Sequence, residues 1–351
     1  MQEGSLRRAF FLYIIVSFIP HLARRSHRPR SGSIDAADVG SAGEASEGTF
    51  MSNQFKSGFV TLVGRPNVGK SSLINAVVGH KVAITSSTAQ TTRHRFRAIL
   101  TTDDAQVVMV DTPGLHKPHD ALGEELNTSA IMALEDVDVV AFVVDASQPF
   151  GRGDEWVANQ VRAAKAPRKI LVLSKADLVD AQIVEDQLNA ARAFDSWDDE
   201  IVLSAKTGFN VDGFVQAVIA ALPAGPKWFP DDMDTDQPFE VIVAEFIREK
   251  ILRSYRDEVP HSIGVVADDL EYDRAKDMYR IYATVFVERD SQKGIIIGKG
   301  GAAIKRVGIE ARLDLEQMLG CKVFLDLQVK VKKNWRRDLN QIRRFGYGEG
   351  I

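Results

Sequence analysis

Residues 59–71 read Phe59-Val60-Thr61-Leu62-Val63-Gly64-Arg65-Pro66-Asn67-Val68-Gly69-Lys70-Ser71, and this stretch decides the fold of the first half of the chain. The apolar run ending at Val63 has the length and β-branched character of a buried strand, and a complete G-x-x-x-x-G-K-[ST] loop follows it directly. An amphipathic helix carrying Leu73, Ile74, Val77 and Val78 comes next. Strand, glycine loop and helix in that order make a phosphate-binding loop. Its glycines let successive backbone N–H groups turn toward phosphate oxygens, and the helix N-terminus adds partial positive charge. Gly64, Arg65, Pro66, Asn67, Val68, Gly69, Lys70, Ser71 and Ser72 are therefore expected to surround a nucleotide's phosphates. Lys70 would reach the β and γ phosphates, and the Ser71 hydroxyl would ligate Mg2+.

Moving outward, the apolar strand Gln106 to Val110 ends in Asp111-Thr112-Pro113-Gly114. An acid at a strand end beside such a loop holds Mg2+, and the Gly114 N–H can meet the γ-phosphate. Between the two motifs, Thr85 to Arg93 is polar and aperiodic, so it can fold over a bound triphosphate, with Thr91 or Thr92 completing the Mg2+ shell. Apolar strands recur at Val139 to Val144, Lys169 to Leu173 and Ile201 to Leu203, separated by helical stretches. That alternation predicts an α/β domain with a mainly parallel sheet covered on both faces. Two strand ends carry base-reading chemistry: Ser174-Lys175-Ala176-Asp177 and Ser204-Ala205-Lys206. A carboxylate such as Asp177 accepts two hydrogen bonds from the guanine edge, whereas adenine presents the opposite pattern. GTP is thus expected over ATP.

A Pro- and Asp-rich connector, 223–238, separates this domain (53–222) from a second (239–351). The second reads as helix Phe239 to Tyr255, strands near Ser262 to Val266 and Ile281 to Val287, a glycine loop Gly298-Lys299-Gly300-Gly301, an amphipathic helix and a strand Val323 to Val331. A G-x-x-G loop entering a helix clamps the backbone of single-stranded nucleic acid in KH domains. Lys293, Lys299, Lys305 and Arg306 around the loop supply charge. Element order fits an α+β type II KH domain. The tail Lys330 to Arg344, with Trp335, reads either as a solvated basic face or as more of an RNA surface.

Composition agrees with two soluble domains: 351 residues, 45% hydrophobic and 26% charged, with a net charge of −4. The balance is uneven. Residues 57–222 and 223–288 are net acidic, while 289–351 carry a net +7, which points to a polyanion at the C-terminal end. Cys321 is the single cysteine, which excludes an intrachain disulfide and favours a reducing compartment. Residues 1–52 hold an apolar run, Phe10 to Ile19, about half as long as a membrane-spanning helix needs, and then Arg- and Ser-rich sequence. They read as a disordered or misannotated extension, with Met51 the expected true start.

GRPNVGKSSLIN, AITS with AQTTRHR, DTPGLHKP, SKAD and SAKTG, followed by GKGG and VKVKKNWR, resemble the Era family of GTPases from about residue 53 to the C-terminus. The resemblance implies roles in GTP/GDP and Mg2+ binding for Lys70, Ser71, Thr91 or Thr92, Asp111, Gly114, Lys175, Asp177, Ser204, Ala205 and Lys206. It also implies binding to the 3′ end of small-subunit ribosomal RNA and to the small ribosomal subunit, in a cytoplasmic monomer with peripheral contact to the inner face of the cell membrane. Ser174 departs from the family's usual Asn, which predicts weaker nucleotide affinity rather than a different base. Leu115 follows Asp111-Thr112-Pro113-Gly114 where a Gln orients water in Ras-like enzymes. Catalysis would then rest on Lys70, Thr92, Gly114 and Asn67, the last as a K+ ligand by resemblance or simply as a turn residue. Two other functions fit less of the chain: an RNA-binding adaptor with weak or lost turnover, and a GTPase anchored through Phe10 to Ile19.

Overall fold

The computed structural model describes residues 54–347, apart from Ala89, His119 and 256–258. The expectations for the N-terminal extension, including the apolar run and the Met51 start, lie outside the described residues. From Phe55 onward the described chain is one compact unit.

In the first half, β1 (Lys56–Val63), β2 (Phe96–Thr101), β3 (Ala105–Asp111), β4 (Val139–Asp145), β5 (Arg168–Ser174) and β6 (Asp199–Val202) form one sheet in the order β2-β3-β1-β4-β5-β6. Only the β2–β3 pair is antiparallel. Alternation sends successive residues to opposite faces. Val139, Ala141 and Val143 pack under α1 (Lys70–Val78) and α5 (Val211–Ala221), and Val140, Phe142 and Val144 pack under α2 (Ala121–Met132), α3 (Arg152–Ala163) and α4 (Ala181–Arg192). Both faces are covered, so the strands are apolar at nearly every position. The phosphate loop and the loops after Asp111 and Ser174 each leave the carboxyl end of a parallel strand, where α/β sheets hold ligands.

In the second half, β7 (Gly264–Asp273), β8 (Met278–Val287) and β9 (Lys322–Val331) form a sheet with β7–β8 antiparallel and β8–β9 parallel. The helices α6 (Phe239–Ser254), α7 (Asp290–Ile297) and α8 (Ala302–Leu319) bury Val243, Ile247, Ile296, Val307 and Leu315 with Ile281, Ala283 and Val285 of β8. This is the expected type II KH order. β7 extends seven residues beyond the expected strand: a bulge at Ala267–Asp269 breaks the alternation, and pairing resumes after it through Asp273, with Leu270 packed on the core.

The connector is not a free linker. Ser57 N–H donates to Pro223 O at 3.1 Å, Ile99 N–H to Asp234 O at 2.9 Å, and the Gln106 carboxamide oxygen accepts from Trp228 N–H and Phe229 N–H at 2.7 and 3.0 Å. The strap thereby satisfies the exposed edge of β2, which would otherwise present unpaired backbone groups.

Candidate nucleotide and RNA sites

Three oxygen-bearing side chains converge where the phosphate loop meets the end of β3. Ser71 Oγ donates to Asp111 Oδ2 at 2.8 Å, Thr92 Oγ1 donates to the same oxygen at 3.2 Å, and the two hydroxyls lie 2.9 Å apart. Asp111 is fully buried and its Oδ1 has no hydrogen-bond partner. Burial pushes its carboxyl above the usual range, while the Lys70 charge and the two hydroxyls oppose the rise. A buried carboxylate with one unsatisfied oxygen and two adjacent hydroxyls fits a hard, oxygen-seeking divalent cation. Among the described residues no group of three or more His, Cys, Asp or Glu could hold a metal ion, so a cation here would draw on hydroxyl, carbonyl, water or phosphate oxygens as well. Of the two threonines, it is Thr92 whose hydroxyl faces this corner. Thr91 Oγ1 turns away to Thr88 O and Ser86 Oγ, both at 2.7 Å.

The phosphate loop itself is closely built. Asn67 and Gly69 take left-handed conformations, φ +65° and +104°, and a Cβ on Gly114 would stand 2.5 Å from Pro66 N. Lys70 is buried, with Nζ donating to Gly64 O at 3.1 Å and Arg65 O at 3.0 Å. Burial lowers its pKa to about 8, against the opposing pull of Asp111. Its charge therefore faces carbonyl dipoles that a phosphate would replace at lower energy. The side chains of Val68 and Pro113 are buried, and Thr112 Oγ1 donates to Leu62 O at 2.8 Å. These three residues shape the site through backbone, as Ser72 does from the first turn of α1. The Arg65 guanidinium points elsewhere, donating to the buried Asp154 of α3 at 2.8 Å. Leu115 lies in the core with Val63 and Phe142 while its N–H donates to Gly64 O at 3.1 Å. The residue after Gly114 is thus structural and orients no water.

The guanine loops are interlocked. Ser204 Oγ donates to Asp177 Oδ1 at 2.6 Å, Thr207 N–H donates back to Ser204 Oγ at 3.2 Å, and Ala176 N–H donates to Leu203 O at 3.1 Å. Lys175, at φ +57°, pairs with Asp145 at 2.6 Å. Asp177 and Lys206 are exposed and Ala205 partly so. Ser174, expected to reach less far than Asn, stands with Oγ 2.5 Å from Val68 O and 2.9 Å from Val144 O. Its single proton serves one carbonyl at a time, yet the contact still joins β5 to the phosphate loop. Asn67 Nδ2 donates to Ser87 O at 2.7 Å, which ties that loop to 85–93.

On the second domain, Gly298, Gly300 and Gly301 have φ of +71°, +60° and +80°. A Cβ on Gly298 would stand 2.6 Å from Ala303 Cβ, whereas nothing lies within 4 Å of one on Gly300 or Gly301. Gly298 is required by the turn, and the other two leave the loop open to a close-approaching backbone. Lys299, Lys305 and Arg306 are exposed beside them, and Lys293 is half-buried on α7.

Sequence reasoning missed how the two halves meet. Arg93, inside the polar loop, is fully buried, and its guanidinium donates to Ile263 O at 2.5 Å and His261 O at 3.1 Å under the rings of Trp335 and Tyr347. Trp335 has no exposed surface. It packs with Phe345, Tyr347, Leu122 and Leu126 and donates Nε1–H to Ser262 O at 2.9 Å. Arg336 is paired with Asp120 and Glu288. The middle of the basic tail is therefore an interdomain contact, and Lys333, Arg337 and Arg344 are among its exposed cations. An apolar Trp-Ile-Phe-Tyr spacing within 335–347 was the available signal, masked by the surrounding charge.

Fold and site together define a P-loop GTPase domain joined to a type II KH domain. The family described as 50S ribosome-binding GTPase matches residues 59–175, and the KH domain family matches 258–336. A crystal structure of Era in complex with MgGDPNP and nucleotides 1506–1542 of 16S ribosomal RNA is 37% identical, with a TM-score of 0.81 over 84% of this chain and 100% of its own. A point variant of Aquifex aeolicus Era bound to GDP·AlF4− gives the same identity, TM-score and coverage. This chain belongs to the Era family of GTPases.

Proposed function

We propose that the protein binds and hydrolyses GTP with Mg2+, binds small-subunit ribosomal RNA near its 3′ end through the KH loop, and acts as a nucleotide-dependent switch in small-subunit assembly. The observation that carries this reading is the match to the RNA- and MgGDPNP-bound Era over that protein's whole length. In this reading the Ser71–Thr92–Asp111 corner serves the nucleotide and the Gly298 to Gly301 loop serves the RNA. The description of the nucleotide-domain family mentions the 50S subunit, but that match stops at residue 175, before the element that would read RNA.

In this scheme Ser71, Thr92 and Asp111 hold Mg2+, which would neutralise charge on the β and γ phosphates. Lys70 and the Gly114 N–H bind the γ-phosphate oxygens, and Asp177 selects guanine with the Ser204 to Lys206 backbone. Buried Leu115 cannot itself orient water, in keeping with slow turnover. Asn67, already turned toward the 85–93 loop, is proposed to ligate K+ as a supplementary charge. The protein is proposed to be a cytoplasmic monomer with peripheral contact to the inner face of the cell membrane. Among the described residues no helix is long and apolar enough to cross a membrane.

The test is phosphate release from GTP and from ATP in potassium and in sodium, together with binding of a single-stranded 3′-end ribosomal RNA in GTP-analogue and GDP states. Release from GTP alone, faster in potassium, with unequal RNA affinities in the two states is expected. No release from GTP would leave an RNA-binding adaptor, equal rates in the two salts would remove K+, and equal RNA affinities would remove the switch.

A further inference from the structure

Thr92 can serve the Asp111 corner only if its backbone is held, and the described residues of the loop that carries it, 85–93, form no helix or strand. The residues on either side of Thr92 are both fastened to the second half of the chain. The Thr91 carbonyl accepts a hydrogen bond from Arg248 Nη2 on α6. The Arg248 side chain is wholly buried, and Glu245 grips it at Nε (2.7 Å) and Nη2 (2.5 Å). On the other side, Arg93 is anchored by the carbonyls of Ile263 and His261 and stacks near Trp335 and Tyr347, 5.8 and 5.3 Å from the ring centres. The loop's entrance is fastened to the same helix, since Glu249 Oε1 accepts from Thr85 N–H at 3.0 Å.

We propose that Arg248 and Arg93 are positioning residues for GTP hydrolysis, acting as two interdomain anchors that hold the Thr91–Arg93 backbone so that the Thr92 hydroxyl faces Asp111 and Ser71. The inference rests on the GTPase reading above and deepens it: the KH domain becomes part of the apparatus that presents the triphosphate-sensing threonine. Arg is required at both places because a planar fork can hold one partner and still present a second N–H to a carbonyl, whereas a Lys ammonium has neither the reach nor the fixed geometry. Thr92 distinguishes GTP from GDP, while Lys70, Asp177 and the guanine loops contact groups common to both. Loss of an anchor must therefore erode the preference for GTP and leave GDP binding intact.

The experiment compares Arg248→Lys and Arg93→Lys with the parent, in full chains, for affinity to GDP and to a non-hydrolysable GTP analogue with Mg2+ and for single-turnover GTP hydrolysis. Both variants retain a buried positive charge, so neither Glu245 nor the aromatic cage is left against a neutral side chain. Roughly tenfold weaker analogue binding and tenfold slower turnover are expected, with GDP affinity within about twofold. In a Thr92→Ala background the same substitutions should add nothing further, since all act through one residue. An unchanged analogue-to-GDP preference in both variants, an equal loss of both nucleotides, or effects that multiply with Thr92→Ala would overturn the proposal. A parent protein that hydrolyses no GTP would instead overturn the GTPase reading, and the analogue-to-GDP preference would still test the anchors.

Discussion

Replacing Trp335 with Ala separates two accounts of the basic tail. In the sequence it lies among lysines and arginines, where an aromatic ring is expected to stack on exposed bases. In the structure it is fully buried between α2 of the GTPase domain and the KH sheet, with Nε1–H on Ser262 O at 2.9 Å and Phe345 and Tyr347 at 4.9 and 5.9 Å. Truncating a buried Trp costs about 3–5 kcal/mol, including the cavity left behind. The orphaned Ser262 carbonyl adds about 1 kcal/mol. A stability loss near 5 kcal/mol corresponds to a melting-temperature fall of about 7 °C for a chain of this size. Differential scanning calorimetry of the nucleotide-free protein measures it, and Trp335→Phe should recover most of the packing contribution but not the hydrogen bond. A Trp335→Ala protein that melts like the parent and has lost only RNA affinity would refute the buried-clamp reasoning and return Trp335 to the RNA surface.

Three further outcomes follow from other parts of the molecule. Burial raises the Glu245 carboxyl, but the Arg248 charge, its hydrogen bonds and the His94 contact outweigh this and hold it down to about 2. It therefore stabilises the folded state fully above the unfolded value of about 4.5, and this contribution is lost as pH falls from 4.5 toward 2. In urea titrations the parent should exceed Glu245→Gln by about 3 kcal/mol at pH 6, with the gap closing below pH 4.5. Asp111→Asn should weaken Mg2+-dependent GTP binding about a hundredfold, roughly 3 kcal/mol. Because burial disfavours the Asp111 charge, the nucleotide-free variant should melt no lower than the parent. Gly300→Asp enters an open position with φ +60°, which Asp tolerates at a cost of about 1 kcal/mol. RNA affinity should fall about tenfold or more by filter binding, with RNA-free GTP turnover unchanged.

Much of this protein was determined by sequence alone, because phosphate and base recognition here are local chemistry. Gly64 to Ser71, Asp111 to Gly114, Ser174 to Asp177 and Gly298 to Gly301 are each short continuous stretches at a strand or helix end, so their spacing is written in the chain. The apolar strands told the same story, since two-sided burial leaves an unbroken hydrophobic run. Tertiary structure decided what depends on residues far apart. It chose Thr92 over Thr91, placed Leu115 in the core, carried Ser174 to the phosphate loop, turned the connector into an edge strap, and buried Arg93 and Trp335 between the domains. Charged residues usually face water, so a buried Arg or an aromatic within a basic run is legible only once partners more than 150 positions away, such as Ile263 for Arg93, are seen to satisfy it.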